Sequence, residues 1–271
     1  MTWAAASWRQ QLEAWVIPPA LLATVTESPY GWPEALWRRR AHSAVERGEV
    51  TPTTTRVEEL AGRDGDILDV GAGTGRASLP LARSGHAVTA VERSESMLKG
   101  LRDLSEGLPV RVVEGSWPEV ADGVEPHAVG MCAHVVYDVP DLAPFLLALH
   151  QRAESGVVVE LTATHPWTHL GPYYRSLHNL DRPSGPTVAD FTAVVEEVVG
   201  VAPVVESWMR PPDLWFESRE EILELYGRRL LVTEARWPEL DALLGPEIEE
   251  HQGRYRFGAD QRQFSTVWWE R

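Results

Sequence analysis

Two carboxylates flank a run of glycines in this chain of 271 residues: Asp69-Val70-Gly71-Ala72-Gly73-Thr74-Gly75, and later Glu92. Closely spaced glycines let the backbone turn sharply and bring its N–H groups against a ligand. A carboxylate about 20 residues further on, at the end of the next strand, accepts ribose hydroxyls in dinucleotide folds. Together they predict an adenosine-containing ligand at the carboxyl ends of parallel strands. A nicotinamide site would read Gly-x-Gly-x-x-Gly, which counted from Gly71 requires glycine where Arg76 stands. A nicotinamide oxidoreductase is therefore the weaker alternative.

These residues need strands to hold them, and the surrounding pattern supplies strands. Asp66–Val70, Ala87–Val91, Val110–Glu114, Ala128–Ala133 and Val157–Leu161 read as strands. Helical stretches running to Arg83, from Ser94 to Leu104 and from Asp141 to Arg152 separate them. Strand–helix alternation at this spacing implies a parallel sheet with right-handed crossovers. Residues before 61 read as helices broken at Pro18-Pro19 and Pro33. After Leu161 the alternation stops, and 162–186 carry prolines, histidines and aromatics without clear periodicity. Helices Thr187–Val199, Ser218–Leu231 and Trp237–Glu250 follow, with strands Pro203–Trp208 and Phe264–Trp269. The expected division is an N-terminal helical cap, 1–60, and one domain, 61–271, with 162–186 and 209–260 as lid or additions.

The glycine run preceded by Asp69 resembles that of the class I S-adenosylmethionine-dependent methyltransferases, over roughly residues 64–162. The resemblance implies a Rossmann-like, seven-stranded sheet whose last strand runs antiparallel, with N-terminal helices and C-terminal insertions forming a lid. It implies that Asp69 and the backbone of Gly71, Ala72, Gly73 and Gly75 hold the methionine part of S-adenosylmethionine. It places Glu92 on the ribose and Arg93 and Met97 beside the adenine. Ser116 stands where the family often carries an acid, and Trp117 next to it is an adenine-stacking candidate. Ala133, His134 and Tyr137 match the segment beside the sulfonium.

Methyl transfer from a sulfonium depends mainly on alignment of the acceptor, and a base helps only where the acceptor must lose a proton. His165, Tyr137 and Glu160 are the expected catalytic residues. Tyr30, Trp32, His169, Tyr173, Tyr174 and His178 are the expected acceptor-binding residues. The histidine spacing fits no common metal pattern, so no metal is expected.

Composition narrows the partners. Forty acidic against 25 basic residues give a net charge of −15, which disfavours nucleic acid and anionic lipid. The single cysteine, Cys132, excludes an internal disulfide and a multi-cysteine zinc site. No stretch approaches the roughly 20 apolar residues that span a bilayer, and the N-terminus does not read as a signal peptide; a soluble cytoplasmic protein is expected. The 12 tryptophans suit cores and ligand pockets alike. The expected activity is methyl transfer to a small organic molecule that is uncharged, aromatic or cationic, with S-adenosylhomocysteine as product. An RNA or protein methyltransferase and a non-catalytic S-adenosylmethionine-binding module are the alternatives. The oligomeric state has no signature.

Overall fold

A computed structural model describes residues 2–31, 33–210, 214–258 and 262–271. Helices α1 (Trp3–Glu13), α2 (Pro19–Leu22), α3 (Glu34–Arg47) and α4 (Pro52–Ala61) precede strand β1 (Ile67–Val70). Then come α5 (Leu79–Arg83), β2 (Val88–Glu92), α6 (Glu95–Leu104), β3 (Val110–Glu114), β4 (His127–Ala133), α7 (Leu142–Gln151) and β5 (Ala153–Thr162). The remainder is α8 (Gly171–His178), α9 (Val188–Val198), β6 (Val204–Arg210), α10 (Arg219–Arg229), α11 (Trp237–Leu244), β7 (Ile248–His251), β8 (Arg254–Phe257) and β9 (Arg262–Glu270).

Seven strands form one sheet in the order β3-β2-β1-β4-β5-β9-β6. The first five run parallel, and β9 lies antiparallel between β5 and β6. This is the expected α/β architecture. Strand order reverses between β1 and β4, the switch point where open α/β sheets take ligands. Every residue of β1 and β2 is buried, as strands covered on both faces must be.

Three apolar clusters organise the packing. Leu68, Val70, Val157 and Val159 meet α1, α7 and α9 on one face of the sheet, and Trp8 is fully buried there. Ile67, Val129, Met131 and Val158 meet α4, α5 and α6 on the other face. A third cluster joins Ile17 and Leu36 to α8, α10, α11 and Phe257, making a cap. The N-terminal helices are thus shared out. α1 belongs to one sheet layer, α4 to the other, and only the segment between them reaches the cap.

Helix boundaries follow local chemistry. Thr51 and Thr54 form a reciprocal capping box with Pro52 at the first helical position, and Thr187 with Asp190 repeats the device. The sequence pattern predicts a helix through Glu250, but α11 stops at Leu244 and β7–β8 form a hairpin. The reason is local: Gly245-Pro246 follows Leu244, and a proline there cannot continue the helical hydrogen bonding. The structure also contains the short helix α2, which begins at the second proline of Pro18-Pro19. Among the described residues no helix is long and apolar enough to cross a membrane.

Candidate functional site

The glycine run leaves the carboxyl end of β1 as a tight loop. Gly71 and Ala72 donate their N–H groups to Val91 O at 2.8 and 3.0 Å, which pins the loop to β2. Gly71 has φ +73°, and a Cβ there would lie 2.5 Å from Val135 Cγ2, so this position takes only glycine. At Gly73, φ +57°, a Cβ would meet nothing within 4 Å: the loop opens onto free space.

Glu92 closes the loop from β2. Its Oε2 accepts from Gly73 N (2.8 Å) and its Oε1 from Arg93 N (2.8 Å) and Ser94 N (2.7 Å). A carboxylate has about four acceptor positions, so Glu92 retains one. Asp69, at the base of the loop, is 1% exposed, and neither carboxylate oxygen completes a hydrogen bond among the described residues; the same holds for the neighbouring Ser78 hydroxyl. Burial pushes the Asp69 carboxyl up to about 7, with Ser78 opposing and the charge of Glu92 adding to the rise. A buried carboxylate without partners is costly, and here both acceptor oxygens stand ready for a cationic ligand group.

Other expected cofactor residues cluster at the same sheet edge. Met97 is buried on α6. Ser116 and Trp117 follow β3, and the Trp117 indole N–H donates to Phe145 O of α7 at 3.1 Å, fixing the ring in that wall. Ala133 ends β4 beside Glu160 of β5. His134 follows with φ +63°, and its backbone N–H donates to Glu160 O at 2.9 Å.

Glu160 and His134 belong to a hydrogen-bonded relay that also holds Arg210, Glu49 and Arg76. His134 Nε2 lies 2.9 Å from Glu160 Oε1, which also accepts from Arg210 Nη1 at 3.4 Å. Arg210 Nη2 reaches Glu49 Oε1 at 2.6 Å, and Arg76 Nη2 reaches Glu49 Oε2 at 3.3 Å. Burial opposes the Glu160 charge, but the His134 hydrogen bond and the Arg76 guanidinium prevail and hold the carboxyl below its ordinary value. So arranged, Glu160 is an anchor for His134 and Arg210 and a poor proton acceptor.

His165 lies across the crevice. Its ring stacks on Trp15 (centroids 3.9 Å apart) and meets Tyr137 and Trp167 edge-on at 5.4 and 6.0 Å. Burial, with the charge of Arg182, pushes its pKa down to about 3. The Trp167 N–H donates to His165 Nδ1 at 3.2 Å, so the neutral ring carries its proton on Nε2, where it donates. The Tyr137 hydroxyl is tied to Thr162 O and Oγ1 at 2.8 and 2.9 Å, and burial raises its pKa against the opposing effect of those bonds. Both residues are therefore held in their neutral forms.

The expected acceptor residues separate into two groups. Tyr30 stacks on Trp167 at 5.8 Å, at the mouth of this cluster. Tyr173, Tyr174 and His178 lie in the cap, where their polar atoms bond Glu247, Arg229 O and Leu230 O respectively. His169 donates from Nδ1 to Pro166 O at 2.8 Å and accepts from Arg262 at 3.3 Å; burial and Arg262 push it down to about 3. These four stitch elements together. Trp32 lies outside the described residues. Among the described residues no cluster of metal-ligating side chains occurs.

Residues without a sequence signature complete the site. Trp15 donates from Nε1 to Gly185 O at 2.6 Å, and Arg182 lies 4.9 Å over both the Trp15 and Tyr174 rings. Arg229, 4% exposed, donates to Pro29 O and sits 4.6 Å over Trp167. Together they sew the segment between α1 and α3 to the cap. Asp138, beside Tyr137, is open to solvent but crowded by the crevice walls: burial raises its pKa, while Arg93 and Arg229 pull it down.

Residues 67–156 match the family described as a methyltransferase domain. The matched segment runs from β1 into β5 with the glycine loop and is a third of the chain. A 96-residue stretch, 34% of this chain, is 40% identical to the ubiquinone biosynthesis O-methyltransferase of Paramagnetospirillum magneticum, of which it spans 37%. A solved structure from Bacillus halodurans matches with TM-score 0.50 and 16% identity, over 81% of this chain and 99% of that one. The YcgJ protein of Bacillus subtilis does so with TM-score 0.50 and 12% identity, over 79% and 97%. These two likenesses concern the fold. The residues of this segment have room and acceptors for a cationic, adenosine-type cofactor, since Asp69 has two unpartnered oxygens and the loop at Gly73 is open.

Proposed function

We propose that this protein transfers a methyl group from S-adenosylmethionine to an oxygen of a small organic molecule, leaving S-adenosylhomocysteine. The observation that carries the reading is Asp69, buried and unpartnered at the base of an open glycine loop with Glu92 alongside. When bound, the cofactor supplies a methyl carbon already activated by a positive sulfur, so the protein's task is alignment and exclusion of water. Asp69 would take the ammonium group. Glu92 would take a ribose hydroxyl at its open acceptor position, and a second one only by releasing the Gly73 N–H. Tyr137, His165, Trp167 and Tyr30 would hold the acceptor among aromatic edges and faces, favouring a planar molecule. The oxygen acceptor is supported by the likeness to the Paramagnetospirillum O-methyltransferase. The aromatic lining and the net charge of −15 favour a small molecule over RNA.

Calorimetric titration tests the reading. S-adenosylhomocysteine should bind and NADH should not; the reverse would overturn the assignment. Transfer of labelled methyl from S-adenosylmethionine to small-molecule extract, with none to RNA or protein, separates the acceptor classes.

A further inference from the structure

The turn after β4, at the carboxyl edge of the sheet, carries an exposed carboxylate, Asp138, with its backbone clamped on both sides. Tyr137 precedes it, buried and hydrogen-bonded twice to Thr162 at 2.8 and 2.9 Å. Val139 follows, and its carbonyl accepts from Trp8 Nε1 at 3.0 Å, Trp8 being fully buried. The turn is closed by Asp138 N donating to Val135 O at 3.0 Å. Asp138 thus stands solvent-open on a rigid base at the carboxyl edge of the sheet, the geometry that preorganisation of a reacting group requires. The other carboxylates near the site have other partners: Glu92 binds three backbone amides, Glu160 binds His134 and Arg210, and Asp69, buried at the base of the loop, would be taken by the cofactor's ammonium group. His165 offers a proton and takes none at the crevice edge.

On the reading of the site as an oxygen methyltransferase, we propose that Asp138 is the catalytic base that receives the proton of an aromatic hydroxyl. The acceptor oxygen forms its bond to the methyl carbon as the carbon–sulfur bond breaks and its electron pair stays on sulfur. The hydroxyl proton passes to a carboxylate oxygen of Asp138, so a neutral ether and a neutral thioether result. The charged groups that reach Asp138 are Arg93, at the end of β2, and Arg229, at the end of α10. Both favour the carboxylate that the step needs, while the crevice walls raise its basicity.

The test uses the full chain and 4-nitrocatechol, whose ionised form is coloured. Asp138→Asn keeps the shape of an exposed side chain, so folding and binding of S-adenosylhomocysteine should match wild type. Methylation of the probe should fall at least about 100-fold in kcat, with KM within about threefold. The acid limb of the wild-type pH profile should vanish in the variant. Binding gives a second readout in protein loaded with S-adenosylhomocysteine. Removing the negative charge beside the probe should lower its ionisation midpoint, increasing its ionisation constant about tenfold. A variant with wild-type kcat, or an unmoved midpoint, overturns the proposal. So does wild-type protein that binds S-adenosylhomocysteine but neither binds nor methylates the probe. Loss of S-adenosylhomocysteine binding by wild type would instead defeat the reading of the cofactor site.

Discussion

Asp69 makes the cofactor site sensitive to pH in a way that can be calculated. In the empty protein its carboxyl is lifted from 3.8 to about 7, first by burial and then by the charge of Glu92, with Ser78 opposing. Lifting it that far costs the charged form roughly 4 kcal/mol. Near pH 7 the group is about half protonated, and a ligand ammonium beside it favours the carboxylate. Binding of S-adenosylhomocysteine should therefore release about half a proton at pH 7, and affinity should rise about tenfold from pH 6 to pH 8. Titration calorimetry in phosphate and in Tris, which differ in ionisation enthalpy, reads the proton count directly. Folding carries the opposite sign. Between 3.8 and about 7 the folded chain holds the Asp69 proton more tightly than the unfolded chain, so stability falls as pH rises through that window. Below it both states are protonated and above it neither is. Asp69→Asn should then raise the melting temperature of the empty protein at pH 8, leave it nearly unchanged at pH 4, and weaken S-adenosylhomocysteine binding. Affinity independent of pH from 6 to 8, matched by the variant, would refute the reasoning.

Two further substitutions probe the frame around this site. Glu160→Gln removes one of the two carboxylate charges that offset the buried Arg210 guanidinium, Glu49 supplying the other, and should cost about 3 kcal/mol in denaturant unfolding; an unchanged midpoint would show that the Glu160 charge contributes nothing. Gly71→Ala forces a side chain into a φ of +73° and against Val135; it should cost about 2 kcal/mol and reduce S-adenosylhomocysteine binding, as melting and calorimetry would show.

The parallel half of the fold was legible because its signals are local. β3 spans Val110–Glu114 as read from the sequence, and α6 and α7 differ from the expected limits by one residue at each end or less. Each is a short apolar run or a 3.6-period stripe that needs no distant partner to be recognised. Asp69, Glu92 and the glycines could be found for the same reason: a loop between adjacent elements binds through its own backbone. The hairpin β7–β8 could not, because Glu249, Glu250, Arg254 and Arg256 alternate charge rather than apolarity, and pairing across the turn defines them. The acceptor side was least legible. Tyr173, Tyr174 and His178 look like ligand residues by type, yet their polar atoms are used to hold α8 against α10 and its neighbours. Trp15, Arg182 and Arg229 come from segments 47 residues or more apart in sequence, and only folding brings them near His165 and Trp167.

Charge near the crevice is sorted by location, as the proposed pairing of a cationic cofactor with a neutral acceptor requires. The two carboxylates beside the glycine loop are set at different depths. Glu92 is stabilised by three backbone amides, whereas Asp69 has no completed hydrogen bond. Glu92 therefore has most of its acceptor positions filled in the empty protein, while Asp69 awaits a positive partner. On the far side the histidines are neutral because burial and nearby arginines depress them. Arginine guanidiniums there lie over aromatic rings, which satisfies much of their charge by cation–π contact. Between the two regions stands Asp138, with Arg93 on the cofactor side and Arg229 on the cap side. Burial raises the Asp138 carboxyl and the two cations hold that rise back, and on this proposal it is the group that changes protonation during a turnover.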